Sequence, residues 1–422
     1  MDKPEIGAKT IRTRKHRSVG IFLTGSGLLA ILLLTLGTDT ELPGEPISSF
    51  CLLCGARGLA DAILNVALFV PFGAGLSILL NVGWSVLGSG LVSLFVEIAQ
   101  TGMSGRYPTL GDVIFNTLGG GAGALLVLFA RKLPAVLPTP PKKLAIGSAL
   151  FPIAVFLATA LLVEPSYPET EYYGQWKHEL GHLAPYPGEV LSAHVGDHPL
   201  PDNRLRDTAP VKAALEAGEP IRFSVTTVER SRYPAHILAI YDDTQTEVFM
   251  VMDLPEKLRF RRRTWSVVLR LDQPFHTWHG ALPRSLGDTV DAAIRQGTRN
   301  LCLEINGLTR CDGTGGVEEG WRLLHQLDST QSPLAYLLSA CWVLFLCFPA
   351  GLFGRGRTAP SWLLTGAALG GVAVVVSWWS PWLGLSPITF LAPLCAVFLG
   401  GFSVRAFVSA PAQLPNQPSH QP

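Results

Sequence analysis

Long runs of apolar residues, almost free of charge, recur along the 422-residue chain. A run of about 20 such residues is enough to cross the hydrocarbon core of a bilayer as a helix. Eight spans are predicted, at about Val19–Gly37, Ala62–Leu80, Trp84–Ala99, Asp112–Ala130, Leu144–Val163, Pro333–Leu352, Ser361–Trp378 and Pro387–Phe407. The third is short. Between Glu164 and Gln331 the hydropathy collapses, and from about Ile221 the apolar period becomes two. Phe223, Val225 and Thr227 share one face of Arg222–Val228, and Trp265, Val267, Leu269 and Leu271 share one face of a later stretch. Ala235–Tyr241, Glu247–Met252, Asn300–Ile305 and Leu308–Arg310 continue the alternation. Short alternating segments separated by turn residues predict an all-β sandwich. The expected fold class is therefore a multi-spanning α-helical membrane protein of about eight transmembrane helices, with an all-β sandwich between the fifth and sixth. The expected divisions are a tail at 1–18, five spans at 19–163, the sandwich at 164–332, three spans at 333–407 and a disordered tail at 408–422.

Composition and charge sharpen this in two ways. Hydrophobic residues make up 48% of the chain and charged ones only 15%, with mean hydropathy +0.31; a soluble domain carries about 25% charge. The net charge of +1 argues against nucleic acid as a main partner. Basic residues in short loops set the orientation. Lys9, Arg12, Arg14, Lys15 and Arg17 place the N-terminus in the cytoplasm, and counting crossings puts Arg131, Lys132, Lys142, Lys143, Arg355, Arg357 and Arg405 on the same side. The other short loops carry only Arg57 and Arg106. The sandwich is then exoplasmic, and both termini are cytoplasmic. The first span reads as a signal anchor rather than a cleaved leader.

Four of the seven cysteines fall in segments assigned outside. In Cys302-Leu-Glu-Ile-Asn306-Gly307-Leu-Thr-Arg-Cys311, an Asn-Gly turn closes a hairpin. Pairing outward from the turn sets Cys302 opposite Cys311 in a non-hydrogen-bonded pair, within disulfide reach. A disulfide is expected there, as an oxidising compartment allows; free thiols are the alternative. Cys51 and Cys54 are candidates for a second, local bridge, since no second Cys-x-x-Cys completes a zinc site. Cys341, Cys347 and Cys395 lie in spans as small apolar residues.

Polar side chains interrupt the second to fourth spans. Asp61 and Asn65, Glu97 and Gln100, and Asp112 and Asn116 form three pairs at helical spacing, each on one helix face. All lie at the outer ends of their spans, with Arg106 in the intervening loop. Ionisable groups at that depth are costly and mark function, although a structural ion pair of Arg106 with Glu97 or Asp112 is the competing reading. Pro71 is expected to kink the second span, and Gly73, Gly75, Gly119, Gly120, Gly121 and Gly123 suit close helix packing.

The series Asn65-Val-Ala-Leu-Phe-Val-Pro71-Phe-Gly73, Glu97-Ile-Ala-Gln100, Arg106 and Asp112-Val-Ile-Phe-Asn116-Thr-Leu-Gly119-Gly120 resembles the VanZ-like family of bacterial membrane proteins, over about Gly58–Ala130. That family takes its name from low-level resistance to the glycopeptide antibiotic teicoplanin. The resemblance implies a bacterial inner-membrane protein of the cell envelope. It implies site residues Asn65, Gln100 and Asn116 for binding, with Glu97, Arg106 and Asp112 as the candidates for any catalytic role. It fixes no reaction and no cofactor. The additions to the family's core are an extra span, the outer domain and the three C-terminal spans.

In the outer segment, the run Leu301–Arg310 and the strand order before it resemble concanavalin A-like and LamG-like jelly rolls, many of which bind carbohydrate. Trp278, His276 and His279 are the ligand-facing candidates there; the competing reading makes Trp278 a core residue. Arg259, Arg261, Arg262 and Arg263 read as a charged edge strand, or as a surface for anionic headgroups or glycans. His178-Glu179-Leu180-Gly181-His182 fits the zinc-peptidase pattern H-E-x-x-H, with Glu216 as the third-ligand candidate. Pro185 and Pro187 end any helix within a turn, so no metal site is expected. The functional expectation is an envelope factor whose polar cluster binds or acts on a lipid-linked or surface glycan precursor, with a carbohydrate-binding sandwich. The alternatives are a membrane-anchored, non-enzymatic glycan- or protein-binding scaffold and, behind it, a zinc peptidase. The expected partners are the bilayer and such a glycan, with the oligomeric state left open.

Overall fold

The computed structural model describes residues 4–37, 50–101, 103, 108–176, 184–227, 234–283, 287–297, 299–327, 332–354 and 358–409. The helices among them are α1 Pro4–Thr35, α2 Gly58–Leu79, α3 Val82–Gln100, α4 Leu110–Val136, α5 Lys142–Leu162, α6 Ala209–Glu216, α7 Pro333–Phe353, α8 Ala359–Trp379 and α9 Pro387–Ser409. All but the short α6 hold a stretch long and apolar enough to cross a membrane, which makes eight candidate spans. α3 begins where the Asn81 side chain accepts the Trp84 N–H at 3.0 Å, and it is long enough to span at Val82–Gln100. The arrangement forms two compact units: Met1–Ala130 with Leu161–Thr314 and Trp321–Ser332, and Arg131–Ala160 with Gly315–Gly320 and Pro333–Pro422.

In the first unit, α2 runs through Pro71 as one helix and packs closely on α4. The contact depends on missing side chains: a Cβ on Gly73 would collide with the backbone of Gly120, and one on Gly123 with that of Val70. The Ser85 hydroxyl of α3 donates to the Gly73 carbonyl at 2.7 Å and lies 3.1 Å from that of Gly120, joining three helices inside the apolar layer.

The sandwich has two six-stranded sheets. The first runs β1 (Tyr172–Gln175), β6 (Ala235–Asp242), β7 (Glu247–Leu254), β8 (Lys257–Arg262), β9 (Phe275–His279), with β2 (Ala184–Pro185) pairing parallel to β6. The second runs β12 (Leu308–Gly313), β11 (Asn300–Ile305), β10 (Thr289–Gly297), β5 (Ile221–Thr226), β3 (Val190–Val195), β4 (His198–Pro199). One apolar core joins the sheets: Ile240, Phe249, Val251, Leu258 and Trp278 from the first meet Phe223, Val225, Val290, Ile294 and Leu303 from the second. The first sheet is buried on its other face as well, where Ala239, Met250, Met252 and Leu254 cluster. That is why β6 and β7 read as nearly unbroken apolar runs rather than as clean alternation.

The β11–β12 hairpin has the register that its Asn-Gly turn dictates. Ile305 faces Leu308, Glu304 faces Thr309, Leu303 faces Arg310 and Cys302 faces Cys311. Asn306 and Gly307 take φ of 48° and 81°, the left-handed conformations a two-residue turn of this kind requires. The cysteines are bridged with Cα atoms 4.0 Å apart, and Cys51 is bridged to Cys54.

Two strand expectations are corrected. Trp265–Leu269 is a 3-10 helix, here η1. The Val267 N–H donates to the Thr264 carbonyl at 3.2 Å and that of Arg270 to Val267 at 2.9 Å, and Arg270 ends the helix at φ 52°. The apolar spacing that mattered was Trp265 to Val268, a three-residue turn, and not the alternation. The arginine run is no solvated edge, because β8 lies between β7 and β9. Arg261 pairs with buried Glu247, and Arg263 with buried Asp242 at 2.5 Å. The strands before Ile221 and the helix α6 also lie outside the expected strand set; β1 and β4 are too short for a period to register.

In the second unit, a buried carboxylate stands at the foot of the α8–α9 turn. Glu318 accepts the Ser386 hydroxyl at 2.6 Å and the Thr389 hydroxyl at 2.7 Å. Burial pushes its pKa above the ordinary carboxylate range, against the lowering effect of those two donors.

Candidate functional site

The start of α2, the end of α3, the start of α4 and the residues just after α5 meet on the side of the first unit that carries the sandwich. Ala60, Leu271 and Leu323 form an apolar cluster there with Leu59, Leu162, Val163 and Leu324. The Gly111 N–H donates to the Cys51 carbonyl at 3.1 Å, so the Cys51–Cys54 loop lies against the start of α4.

Thr109 organises the polar cluster. It precedes α4 and forms a reciprocal cap with Asp112: its hydroxyl accepts the Asp112 N–H at 3.1 Å and donates to Asp112 Oδ2 at 2.8 Å. The Thr109 N–H donates to Glu97 Oε2 at 3.0 Å, which ties the end of α3 to the start of α4. Asn65 Nδ2 on α2 donates to Asp112 Oδ1 at 2.5 Å. One hydrogen-bonded chain therefore runs Asn65–Asp112–Thr109–Glu97 across three helices. Glu97 is buried, Asn65 and Asp112 are half-buried and Asp61 is exposed. Gln100 and Asn116 belong to neighbouring contacts: Gln100 Nε2 donates to the Thr35 carbonyl of α1 at 2.9 Å, and Asn116 Nδ2 donates to the Ser93 hydroxyl at 2.9 Å. Arg106 lies outside the described residues, so the expected Arg106 ion pair is not described.

Below Glu97 a polar stripe continues into the membrane layer. Ser85, Ser89 and Ser93 stand at four-residue spacing on α3, all fully buried, in line with Glu97. Ser89 Oγ and Asn116 Oδ1 are buried without a hydrogen-bond partner, so the stripe has unused capacity. Thr109 and this stripe were missed in the sequence, although both signals were there: Thr109-x-x-Asp112 has capping-box spacing, and the serines have the helical period of Glu97.

The sandwich borders the cluster directly. Arg57, which precedes α2, pairs with Asp272 at 3.1 Å and reaches Asp61 at 4.0 Å. Burial raises the Asp272 pKa and the Arg57 charge opposes the rise. Asp61 lies in the field of Arg57, Asp112, Asp272 and His325. The Asp61–Asp112 repulsion and the Asp272 side chain are thus parts of one electrostatic neighbourhood.

The sandwich candidates are placed differently. Trp278 is fully buried in the core between the sheets, so its ring is a packing element there and not a sugar platform. His276 is buried too, its ring tilted against that of Trp278 with centroids 4.6 Å apart and its Nε2 3.2 Å from Asp312 Oδ2; of the three candidates only His279 is exposed. His178, Glu179 and His182 lie outside the described residues. Among the described residues no group of three His, Cys, Asp or Glu side chains is arranged to hold a metal.

No curated protein and no solved structure matches the chain. The model of the family described as VanZ/LLP1 matches residues 21–131. The match begins before the 58–130 stretch that carried the motifs and takes in most of the candidate span in α1. Asn65, Glu97, Thr109, Asp112 and Asn116 all fall inside the matched residues.

Proposed function

We propose that the chain is a VanZ-like envelope factor whose polar cluster binds the headgroup of a lipid-linked or surface glycan precursor at the outer membrane boundary. The observation that carries this is the Asn65–Asp112–Thr109–Glu97 chain at the sandwich-side ends of α2, α3 and α4. Each carboxylate has about four acceptor sites, and the bonds above use one or two of them. A set of carboxylates and amides fixed by capping bonds suits sugar hydroxyls, which donate in several directions. Its place at the helix ends suits an amphiphile whose acyl part stays in the bilayer.

In this reading the sandwich is exoplasmic and forms the rim of the site through Arg57–Asp272, while Trp278 and His276 hold its core. The two disulfides and the basic residues of the opposite loops support that orientation. The test compares Glu97→Gln and Asp112→Asn with wild type at equal protein level. The expected outcome is loss of glycopeptide tolerance in cells and loss of glycan-bearing lipid from the purified protein. Unchanged behaviour in both assays would remove the cluster from function.

A further inference from the structure

We infer that η1 is an in-plane membrane anchor that docks the sandwich onto the leaflet beneath it. Both ends of η1 are fastened to residues at the ends of membrane-spanning helices. At its start, the Trp265 N–H donates to the Glu164 carbonyl at 3.0 Å, and Glu164 lies just past the end of α5. Just past its end, the Arg270 carbonyl accepts the Leu59 and Ala60 N–H groups at 3.1 and 3.3 Å, in the first turn of α2. A short helix tied at both ends to helix termini on one side of the membrane lies along the boundary and does not point away from it.

The exposed side of η1 is apolar. Trp265, Val268 and Leu269 are 50, 63 and 47% exposed, while Ser266 faces inward, fully buried. Beneath it the Leu59, Ala60, Leu162, Val163 and Leu271 cluster fills the space between the two helix ends. The adjoining disulfide loop repeats the pattern: Arg270 Nη1 donates to the Leu53 carbonyl at 2.6 Å, and Phe50 and Leu52 are exposed. Trp at the level of helix ends matches the preference of its ring for the headgroup layer, where an apolar body and an N–H are both accommodated. Because η1 is tied to the first turn of α2, itself long and apolar enough to cross the membrane, the occupant is the bilayer itself, entered to the headgroup and acyl boundary.

The test uses the full chain with Cys341, Cys347 and Cys395 replaced by Ala, in vesicles of phosphatidylethanolamine and phosphatidylglycerol. A nitroxide is attached at Val268→Cys and, separately, at Leu269→Cys and at Leu308→Cys, an exposed hairpin-tip position. Collisions with oxygen, which concentrates in lipid, and with a water-soluble nickel chelate are then compared. The expected oxygen-to-nickel ratio at 268 and 269 is several-fold above that at 308. A ratio equal to that at 308 would overturn the proposal by placing η1 in water. Shielding from both reagents would overturn it too, by assigning the face to another protein surface. The Leu269 label decides the matter if the Val268 variant does not fold.

Discussion

The polar groups of the sandwich and those of the helical segment are used in opposite ways. In the sandwich, Glu247 and Asp242 each meet a guanidinium, from Arg261 and Arg263. Burial opposes the charge on Asp242, yet hydrogen bonds from Thr244, Thr246 and Arg263 hold its pKa below the usual carboxylate range. The Trp278 indole is sealed between the sheets. At the ends of α2 to α4, Asp112 and Glu97 meet an amide, a hydroxyl and a backbone N–H. Hydrogen bonds of that kind orient a carboxylate without consuming its charge, whereas an ion pair satisfies it. Among the described residues, the sandwich carboxylates are matched by charge, whereas Asp112 and Glu97 are held by uncharged donors.

Substitutions separate the two regions. Trp278→Ala should destabilise the sandwich by about 3–5 kcal/mol, as a fully buried aromatic does, seen as a large fall in its Tm with glycan-lipid retention unchanged in the surviving folded protein. Loss of retention without loss of stability would instead make Trp278 a ligand contact. Opening Cys302–Cys311 by Cys302→Ala with Cys311→Ala should cost about 2–3 kcal/mol for so short a loop, read as a lower denaturation midpoint and again confined to the sandwich. Gly73→Ala forces a Cβ into the Gly120 backbone. Overpacking of this kind costs about 1–3 kcal/mol, and it should loosen the Asn65–Asp112 contact from a distance and weaken retention with the site residues intact. Glu318→Gln is the smallest. The raised Glu318 pKa means that the folded protein holds this proton more tightly than the unfolded chain does. Its contribution is full below the ordinary carboxylate range and is lost as pH rises through the folded value. The Gln variant should therefore show a flatter thermal-stability profile with pH and no change in retention.

Much of this was legible in the sequence. The eight spans follow from length and apolarity alone, and the Cys302–Cys311 register follows from Asn306-Gly307, because a two-residue turn leaves one way to count outward. The partners of Asp112 were half legible: Asn65 was marked by its spacing from Asp61 and by the shared outer end of the spans, while Thr109 was not, because a capping residue sits outside the apolar period. Trp265–Leu269 misled because Trp265, Val267 and Leu269 alternate while Val268 breaks the alternation, and only tertiary ties to Glu164 and Leu59 decide between strand and turn. For Trp278 the sequence left a core residue and a sugar platform both open, since the two use the same residue in the same strand, and its burial decides for the core. The arginines of β8 misled for a related reason: charge marks an edge only when its partners on neighbouring strands are unknown, and here Glu247 and Asp242 supply them.

In the proposed function, ligand binding lies with Glu97 and Asp112 and not with the sandwich core. Its most direct test is mass spectrometry of the lipids retained by the purified full-length protein, comparing wild type, Glu97→Gln with Asp112→Asn, and Trp278→Phe. A glycan-bearing lipid is expected on wild type and on Trp278→Phe, and its loss from the double variant. Equal retention by all three, or loss from Trp278→Phe alone, would contradict it.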